Sequence, residues 1–358
     1  MVFTGVGIPL APERLDLEEP RDDLVRVRLR ASGVCHSDLH VANGDWPAET
    51  PVVLGHEGAG EVEAIGPDVR DLRPGDHVVL SWFAPCRRCR ACASGRAWAC
   101  TSTRSVENRL PDGGTPLGRP DGSEVWPYLG LGTFSSGVLV PESAAVSVPA
   151  EIPFGVAALI GCSVTTGVGA VVNTARVRAG ESAVVIGCGG VGQAILLGLA
   201  LIGANPVVAV DLSEDRLTQA QALGATATLR GDDEDLVARV RELTGGADHA
   251  FEAIGLPRTI EMVPGMLGAG GTAVVVGMPA IGARASFSPF DLADQGKRIL
   301  GCNYGSSVPA VDFPRIATLY LAGRLPLDRL IGRTRPRQEA NEALADLEGA
   351  IGLRTILE

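Results

Sequence analysis

Aromatic residues make up only 4% of this chain of 358 residues, and it holds no unbroken run of about eighteen apolar residues. The missing run argues against a membrane span. The opening MVFTGVGIPLAPERLDLEEP shows no basic stretch followed by an apolar one, so no secretory leader is expected and the cytoplasm is the expected location. Positive charge is also in deficit: 31 Lys and Arg against 42 Asp and Glu give a net charge of −11. Phosphates would be repelled by such a chain, which disfavours nucleic acid as a partner. The one basic knot, Arg87, Arg88 and Arg90, is too short for a groove-binding surface and reads as a solvated loop face. No internal repeat or low-complexity tract is visible.

Apolar residues reach 46%, ample for a core, and the length favours two domains. The 46 glycines and 24 prolines are spread along the chain, which means many tight turns and not disorder. The first half reads as short strands: Leu24 to Leu29, Gly60 to Ile65 and His77 to Ser81, with a long loop over Leu110 to Pro127. From about Val164 the pattern changes to strands alternating with helices. Strands are expected at 182–186, 207–211, 225–229, 248–253, 272–277 and 298–302, with helices at 191–203, 214–223, 235–243 and 260–267 between them. That alternation implies a parallel sheet covered on both faces. Helices at 313–322 and 337–349 and a short final strand complete the tail.

Gly187-Cys188-Gly189-Gly190-Val191-Gly192 follows one of these strands and opens a helix. The first glycine permits the tight turn, the second lets backbone approach a pyrophosphate, and the third lets helix and strand pack closely. Asp211 stands at the end of the next strand, 19 residues after Gly192, where a carboxylate accepts from ribose hydroxyls and repels a 2′-phosphate. NAD is therefore expected over NADP, with Arg216 flanking the adenosine.

Cysteine supplies the second signal. Cys86, Cys89, Cys92 and Cys100 fall within fifteen residues. Four thiolates complete a tetrahedral shell, so a closed structural zinc site is expected. An iron–sulfur cluster is the other chemistry of C-x2-C-x2-C, but its fourth cysteine normally follows sooner and precedes proline, unlike Ala99-Cys100-Thr101. A dispersed set, Cys35, His56 and Cys162, would leave one coordination place open on zinc, as catalysis requires. Taken singly, each of these three also fits a buried small residue or a satisfied core histidine.

Taken in order, Cys35-His36-Ser37-Asp38-Leu39-His40, Gly55-His56-Glu57-Gly58, the four-cysteine lobe, Gly161-Cys162-Ser163-Val164-Thr165-Thr166-Gly167 and the glycine loop with Asp211 resemble the zinc-dependent medium-chain alcohol dehydrogenases. The similarity covers almost the whole chain. It implies an α/β protein: a strand-rich GroES-like catalytic domain (residues 1–163 and 304–358, with a zinc lobe at about 85–101) and an inserted Rossmann domain of doubly wound parallel sheet that binds NAD (residues 164–303). Two zinc ions per chain are implied, a catalytic one on Cys35, His56 and Cys162 and a structural one on Cys86, Cys89, Cys92 and Cys100. Asp38 would orient the ligand histidine, and Glu57 would lie close behind the metal.

The resemblance further implies hydride transfer between an alcohol or aldehyde carbon and NAD, with zinc-alkoxide activation. The proton would pass by way of Ser37 and the nicotinamide ribose to His40. His36 takes the place of a pyrophosphate-binding arginine, Arg354 resembles a second such arginine, and Thr166 and Val191 match residues packed at the nicotinamide. Trp46, Trp82 and Phe134 either narrow the pocket or belong to the core. The chain starts near the end of the family's usual first strand, so either that strand is clipped or residues precede the start, and the first hairpin is left open.

Within the family the chain resembles the branch of thiol-dependent formaldehyde dehydrogenases and nicotinoprotein alcohol dehydrogenases, through Cys35 to Asp38, Arg298 to Cys302 and Tyr304 to Ser307. Arg104 falls where the glutathione-dependent members bind a carboxylate, and it also fits a solvated loop. The long segment from Cys100 to Phe134 is similar to that of dimeric members, which implies a homodimer joined through the Rossmann sheets near Thr272 to Gly277 and Arg298 to Cys302. Three classes thus face one another: the dehydrogenase (acting on a free alcohol or a thiol adduct), a zinc-free quinone reductase-like relative, and a non-catalytic zinc-lobe binding protein.

Overall fold

The computed structural model describes residues 1–349 and 352–358 and divides the chain into two compact units. The first comprises Met1–Cys162, Val308–Gly323 and Leu327–Glu358, so both chain ends build it. Its long strand Leu24–Gly33 buries Leu24, Val25, Val27, Leu29 and Ala31 and turns Arg26, Arg28 and Arg30 outward. Across the antiparallel pair Arg28 faces Glu61, and Arg26 reaches Glu63 at 3.2 Å. Such exposed pairs set register more than they add stability.

Strands run in the order Ala145–Ser147, His77–Leu80, Glu57–Ile65, Leu24–Gly33, Arg354–Leu357, Ile331–Arg335, with Gly137–Pro141 on Leu24–Gly33 as well. The register sets Gly33 opposite both Glu57 and Ile356, which brings residues about three hundred positions apart to one place. A second sheet of five short strands includes Leu117–Gly118 and Glu124–Pro127, inside the stretch expected to be one long loop. Strands of two to four residues leave too little alternation to be seen in a sequence.

The second unit comprises Ser163–Ser307 with Arg324–Pro326. Its six parallel strands lie in the order Ala227–Arg230, Val207–Asp211, Ala183–Ile186, Ala247–Glu252, Leu267–Val275, Arg298–Gly301. Counted along the unit this is 3-2-1-4-5-6, the doubly wound order, whose direction reverses beside the first strand and opens a crevice at the strand ends. Helices fall within a few residues of the expected positions, from Gly190–Ile202 to Pro257–Met266. Tyr304 to Ser307 belong to this unit because Asn173 donates to the Gly305 carbonyl at 3.3 Å and Thr174 meets Ser306 at 2.8 Å.

Two of the helical segments without a counterpart in the sequence reading bear on the site. His36–Asn43 is one. The other, Phe154–Ala175, is long and apolar enough to cross a membrane by length and composition, although no unbroken apolar run marks it in the sequence. Ser163, Thr165, Thr166, Asn173 and Thr174 interrupt any strictly apolar run, so only its mean hydropathy reveals it. The apolar window is 83% buried inside the protein, as in a core helix. π-helical turns occupy Ile160–Val164 and Ala170–Ala175, and Cys162 lies in the first of them.

Candidate active site and metal centres

In the first unit the helix His36–Asn43 starts directly after Cys35, and Asp38 ties that start to the second motif. Its Oδ2 accepts the Cys35 N–H at 3.1 Å, while Oδ1 accepts the Gly55 N–H at 3.0 Å and the His56 Nδ1–H at 3.1 Å. A carboxylate only accepts, so His56 carries its proton on Nδ1 and keeps Nε2 as a donor to metal. Cys35, His56, Glu57 and Cys162 bring one ligand atom each within 4.8 Å of one another.

Charges in this cluster are strongly perturbed. The hydrogen bond with Cys162 holds the Cys35 thiol well below its usual value, against burial and with help from His56 and Arg354. The same contact, with burial, pushes Cys162 well up. Burial opposes the charge on His56, yet Asp38 and Cys35 outweigh it and raise the imidazole well above its ordinary value. Glu57 is pushed up to about 7, chiefly by burial; Arg354 opposes that shift and Cys35 adds to it.

A buried thiol, a half-buried one, an imidazole and a carboxylate share one small space, and Glu57 Oε1 is buried without a hydrogen-bond partner among the described residues. That donor set fits zinc, whose binding releases the protons held by the thiol and the imidazole. Behind it, Arg354 pairs with the other oxygen of Glu57, both groups being almost fully buried. Gly33 makes this possible, since a Cβ there would lie 2.1 Å from Glu57 Oε2.

The second metal centre is the cysteine lobe. Cys89 Sγ lies 3.6 Å from Cys92 Sγ and 3.8 Å from Cys100 Sγ. A tetrahedral zinc with bonds of ~2.3 Å demands sulfur separations of ~3.8 Å, so the lobe fits the ion. Backbone N–H groups of Cys86 and Cys89 donate to the Cys100 and Cys86 sulfurs, each at 3.3 Å. The thiols titrate far apart: backbone donors bring Cys86 down to about 6, while burial and neighbouring thiols push Cys92 up to about 12. Thiols this close cannot all ionise without a cation among them. All eight cysteines are free of disulfides.

Ser37 and His40 follow on the same helix, with Ser37 Oγ 3.8 Å from Cys35 Sγ. His36 is exposed in the helix's first turn. His40 stacks on Trp46 with ring centroids 4.7 Å apart, and its Nδ1 lies 2.9 Å from Asp45 Oδ2. Phe134 is core, fully buried against Phe3 and Leu54. Trp82 packs edge-on to Phe83. Arg104 forms an exposed pair with Glu107 at 3.0 Å, the solvated alternative of the two expected for it. Sequence reading missed Tyr128, which donates to the Ser37 carbonyl at 3.2 Å and sets its ring edge-on to His56 at 5.7 Å. No local signal marks it, because its contacts are made across 91 positions of chain.

The second unit carries the nucleotide features. Gly187 has φ +91°, and a Cβ on Gly192 would meet the Gly187 carbonyl at 1.8 Å, so helix and strand pack closely only with glycine there. A Cβ on Gly189 would meet nothing within 4 Å, which leaves open space in front of the helix start. The helix begins at Gly190 without a side-chain cap, so its first amides are available to an anion. Asp211 is clamped beside the loop: Oδ2 accepts the Cys188 N–H at 2.8 Å and Oδ1 the Ser213 N–H at 2.9 Å. Arg216 lies 3.9 Å from that carboxylate. Thr166 and Val191 are half-buried.

Comparison with known proteins gives this geometry its context. The alcohol dehydrogenase GroES-like domain matches residues 21–150, and the zinc-binding dehydrogenase domain matches residues 190–320. The S-(hydroxymethyl)glutathione dehydrogenase of Paracoccus denitrificans is 34% identical over 99% of this chain and 98% of its own length. The chain belongs to the zinc-dependent medium-chain alcohol dehydrogenases.

Within this family, the NDMA-dependent alcohol dehydrogenase of Amycolatopsis methanolica is 35% identical over 99% of this chain and 97% of its own. A crystal structure of an alcohol dehydrogenase zinc-binding domain protein from Burkholderia ambifaria superposes with a TM-score of 0.96 at 38% identity, covering 100% of this chain and 97% of that one. The GroES-like and Rossmann units implied by the sequence resemblance are both present, and the formaldehyde dehydrogenase branch is represented among the relatives. As a family member the chain is an oxidoreductase using zinc and NAD on a small-molecule substrate.

Proposed function

We propose that this protein oxidises a small primary alcohol, or reduces the matching aldehyde, at the Cys35, His56 and Cys162 site. The observation that carries this reading is the convergence of those three donors with Glu57 inside 4.8 Å, beside the Ser37 hydroxyl. Zinc held there supplies a Lewis acid for the substrate oxygen, and NAD supplies the hydride acceptor. The chain's own groups do the rest. Asp38 keeps the His56 proton on Nδ1, and Arg354 holds Glu57 away from unpaired burial. Ser37 takes the substrate's hydroxyl proton, and His40 is the outer acceptor that hands it to solvent.

Cys86, Cys89, Cys92 and Cys100 form the structural site. Gly187, Gly189, Gly190 and Gly192 cradle the pyrophosphate, and Asp211 selects NAD over NADP with Arg216 beside the adenosine. His36, Arg354, Thr166 and Val191 are assigned to the cofactor by family likeness. The first unit, Met1–Cys162 with Val308–Gly323 and Leu327–Glu358, serves as the catalytic domain and the second, Ser163–Ser307 with Arg324–Pro326, as the NAD domain in this reading. A cytoplasmic homodimer completes it. The relatives' names also raise a glutathione adduct of formaldehyde as substrate, but Arg104 is already paired with Glu107 here, which favours a free alcohol.

The test is metal analysis together with absorbance at 340 nm over a panel of alcohols, and of formaldehyde with and without glutathione. Two zinc ions per chain and NAD-linked turnover are expected, with one zinc and no turnover in Cys162→Ala. Iron, a single zinc, an NADP preference, or inactivity throughout would overturn the reading.

A further inference from the structure

His40 is followed by a short return of the chain that covers it. The helix His36–Asn43 ends on Gly44 at φ +81°, a left-handed position that suits glycine, whose N–H donates to the Val41 carbonyl at 3.1 Å. A Cβ at Gly44 would also meet Val6 at 2.9 Å. The turn reverses the backbone so that the Trp46 N–H donates to the His40 carbonyl at 3.2 Å. Asp45 and Trp46 are thereby laid on the histidine of the helix they leave. The indole stacks on the imidazole with an interplanar angle of 26°, and Asp45 Oδ2 meets Nδ1 at 2.9 Å. The histidine side chain is 27% exposed and Asp45 48%, so the pair lies at the solvent margin of the site.

An ionised carboxylate has no proton to give, so Nδ1 of His40 must be the donor in this contact. In a neutral ring the lone pair is then on Nε2. Left to itself, imidazole favours the opposite tautomer, with the proton on Nε2 and no base at that atom. We propose that Asp45 is the positioning residue of the proton relay, holding His40 in the Nδ1–H tautomer with Nε2 as acceptor, while Trp46 fixes the plane of the ring. The proposal rests on the relay reading given above. It accounts for an exposed Asp and a half-buried Trp placed side by side against one histidine, which neither metal centre uses.

Long-range 1H–15N spectra of the zinc-loaded protein without cofactor read the tautomer directly, with the His40 resonances identified by their loss in His40→Gln. Wild type is expected as Nδ1–H, and Asp45→Ala as mainly Nε2–H. Asp45→Asn retains a side-chain acceptor and should restore the wild-type tautomer. Turnover in Asp45→Ala should fall by about tenfold, below the ~10²-fold and greater range of a lost acid–base group, with KM nearly unchanged and recovery in Asp45→Asn. An Nε2–H tautomer in wild type, or an unchanged one in Asp45→Ala, overturns the proposal. So does full turnover in Asp45→Ala when His40→Ala is slow. Full turnover in His40→Ala would instead overturn the relay itself, and the tautomer spectra keep the two failures apart.

Discussion

At the scale of single residues, Ser37 and His40 are separated by their distance from the chemistry. Ser37 lies beside a metal ligand, 3.8 Å from Cys35 Sγ, whereas His40 sits one helical turn later at the solvent margin. Ser37→Ala is therefore expected to lose about 10²–10⁴-fold in kcat/KM, the span of a general acid–base group. His40→Ala should lose less, because water can replace an outer acceptor, and its deficit should grow as pH falls and hydroxide becomes scarce. Profiles of kcat/KM against pH, with zinc content checked for each variant, decide the matter. Undiminished activity of Ser37→Ala across the range would remove the relay. Arg354 shows a different lesson at this scale. Assigned to the pyrophosphate by likeness, it also lays its guanidinium on Glu57 beside the metal donors. That charge balance is what lets a buried carboxylate stay beside two thiols.

Among the elements, the cysteine lobe depends least on the rest of the fold. Its helical pieces, Arg90–Ala93 and Ala97–Ala99, are too short to stand alone, and Cys89 and Cys92 are only partly buried. Sulfur–metal bonds, not apolar packing, must hold it. Cys92→Ala should cut zinc from two to one per chain and lower the unfolding midpoint by more than about 5 °C, while Cys162→Ala, in a well-packed helix, should leave the midpoint nearly unchanged. Calorimetry with metal analysis on both variants tests the contrast; equal shifts would mean that the lobe is not the structural site. The helix Phe154–Ala175 is the opposite case, an element held by burial along most of its length. Its π-helical turn at Ile160–Val164 carries Cys162, a distortion that residue propensities do not announce.

For the whole molecule the open question is assembly. Arg298–Gly301 is an edge strand of the six-stranded sheet, and an edge of this kind offers unpaired backbone groups to another chain. In the same unit Met278, Ile281 and Phe290 are 58%, 76% and 73% exposed. Apolar side chains so open to water favour a partner. With the proposed homodimer formed through these edges, sedimentation equilibrium should report twice the chain mass of 37.0 kDa. A charge introduced by Leu300→Asp should shift the population to monomer. A wild-type monomer, or a tetramer, would count against the proposal.

Much of this protein is written locally in its sequence. The glycine loop with Asp211, the four-cysteine lobe and the alternation of strands with helices are short-range patterns, set by backbone freedom, ligand spacing and hydrophobic period. They were legible for that reason, and element boundaries in the second unit came within a few residues of the structure, apart from the strand Leu267–Val275, where a register shift starts the pairing earlier. The dispersed donors Cys35, His56 and Cys162 were ambiguous one by one, because a lone cysteine or histidine serves a core equally well. Only the tertiary structure decided what surrounds them. Arg354 reaches Glu57 across 297 positions, Tyr128 reaches Ser37 across 91, and Gly33 clears the space for a carboxylate on the next strand. Those contacts depend on strand register and chain return, which are properties of the folded sheet and leave no periodic mark in the sequence.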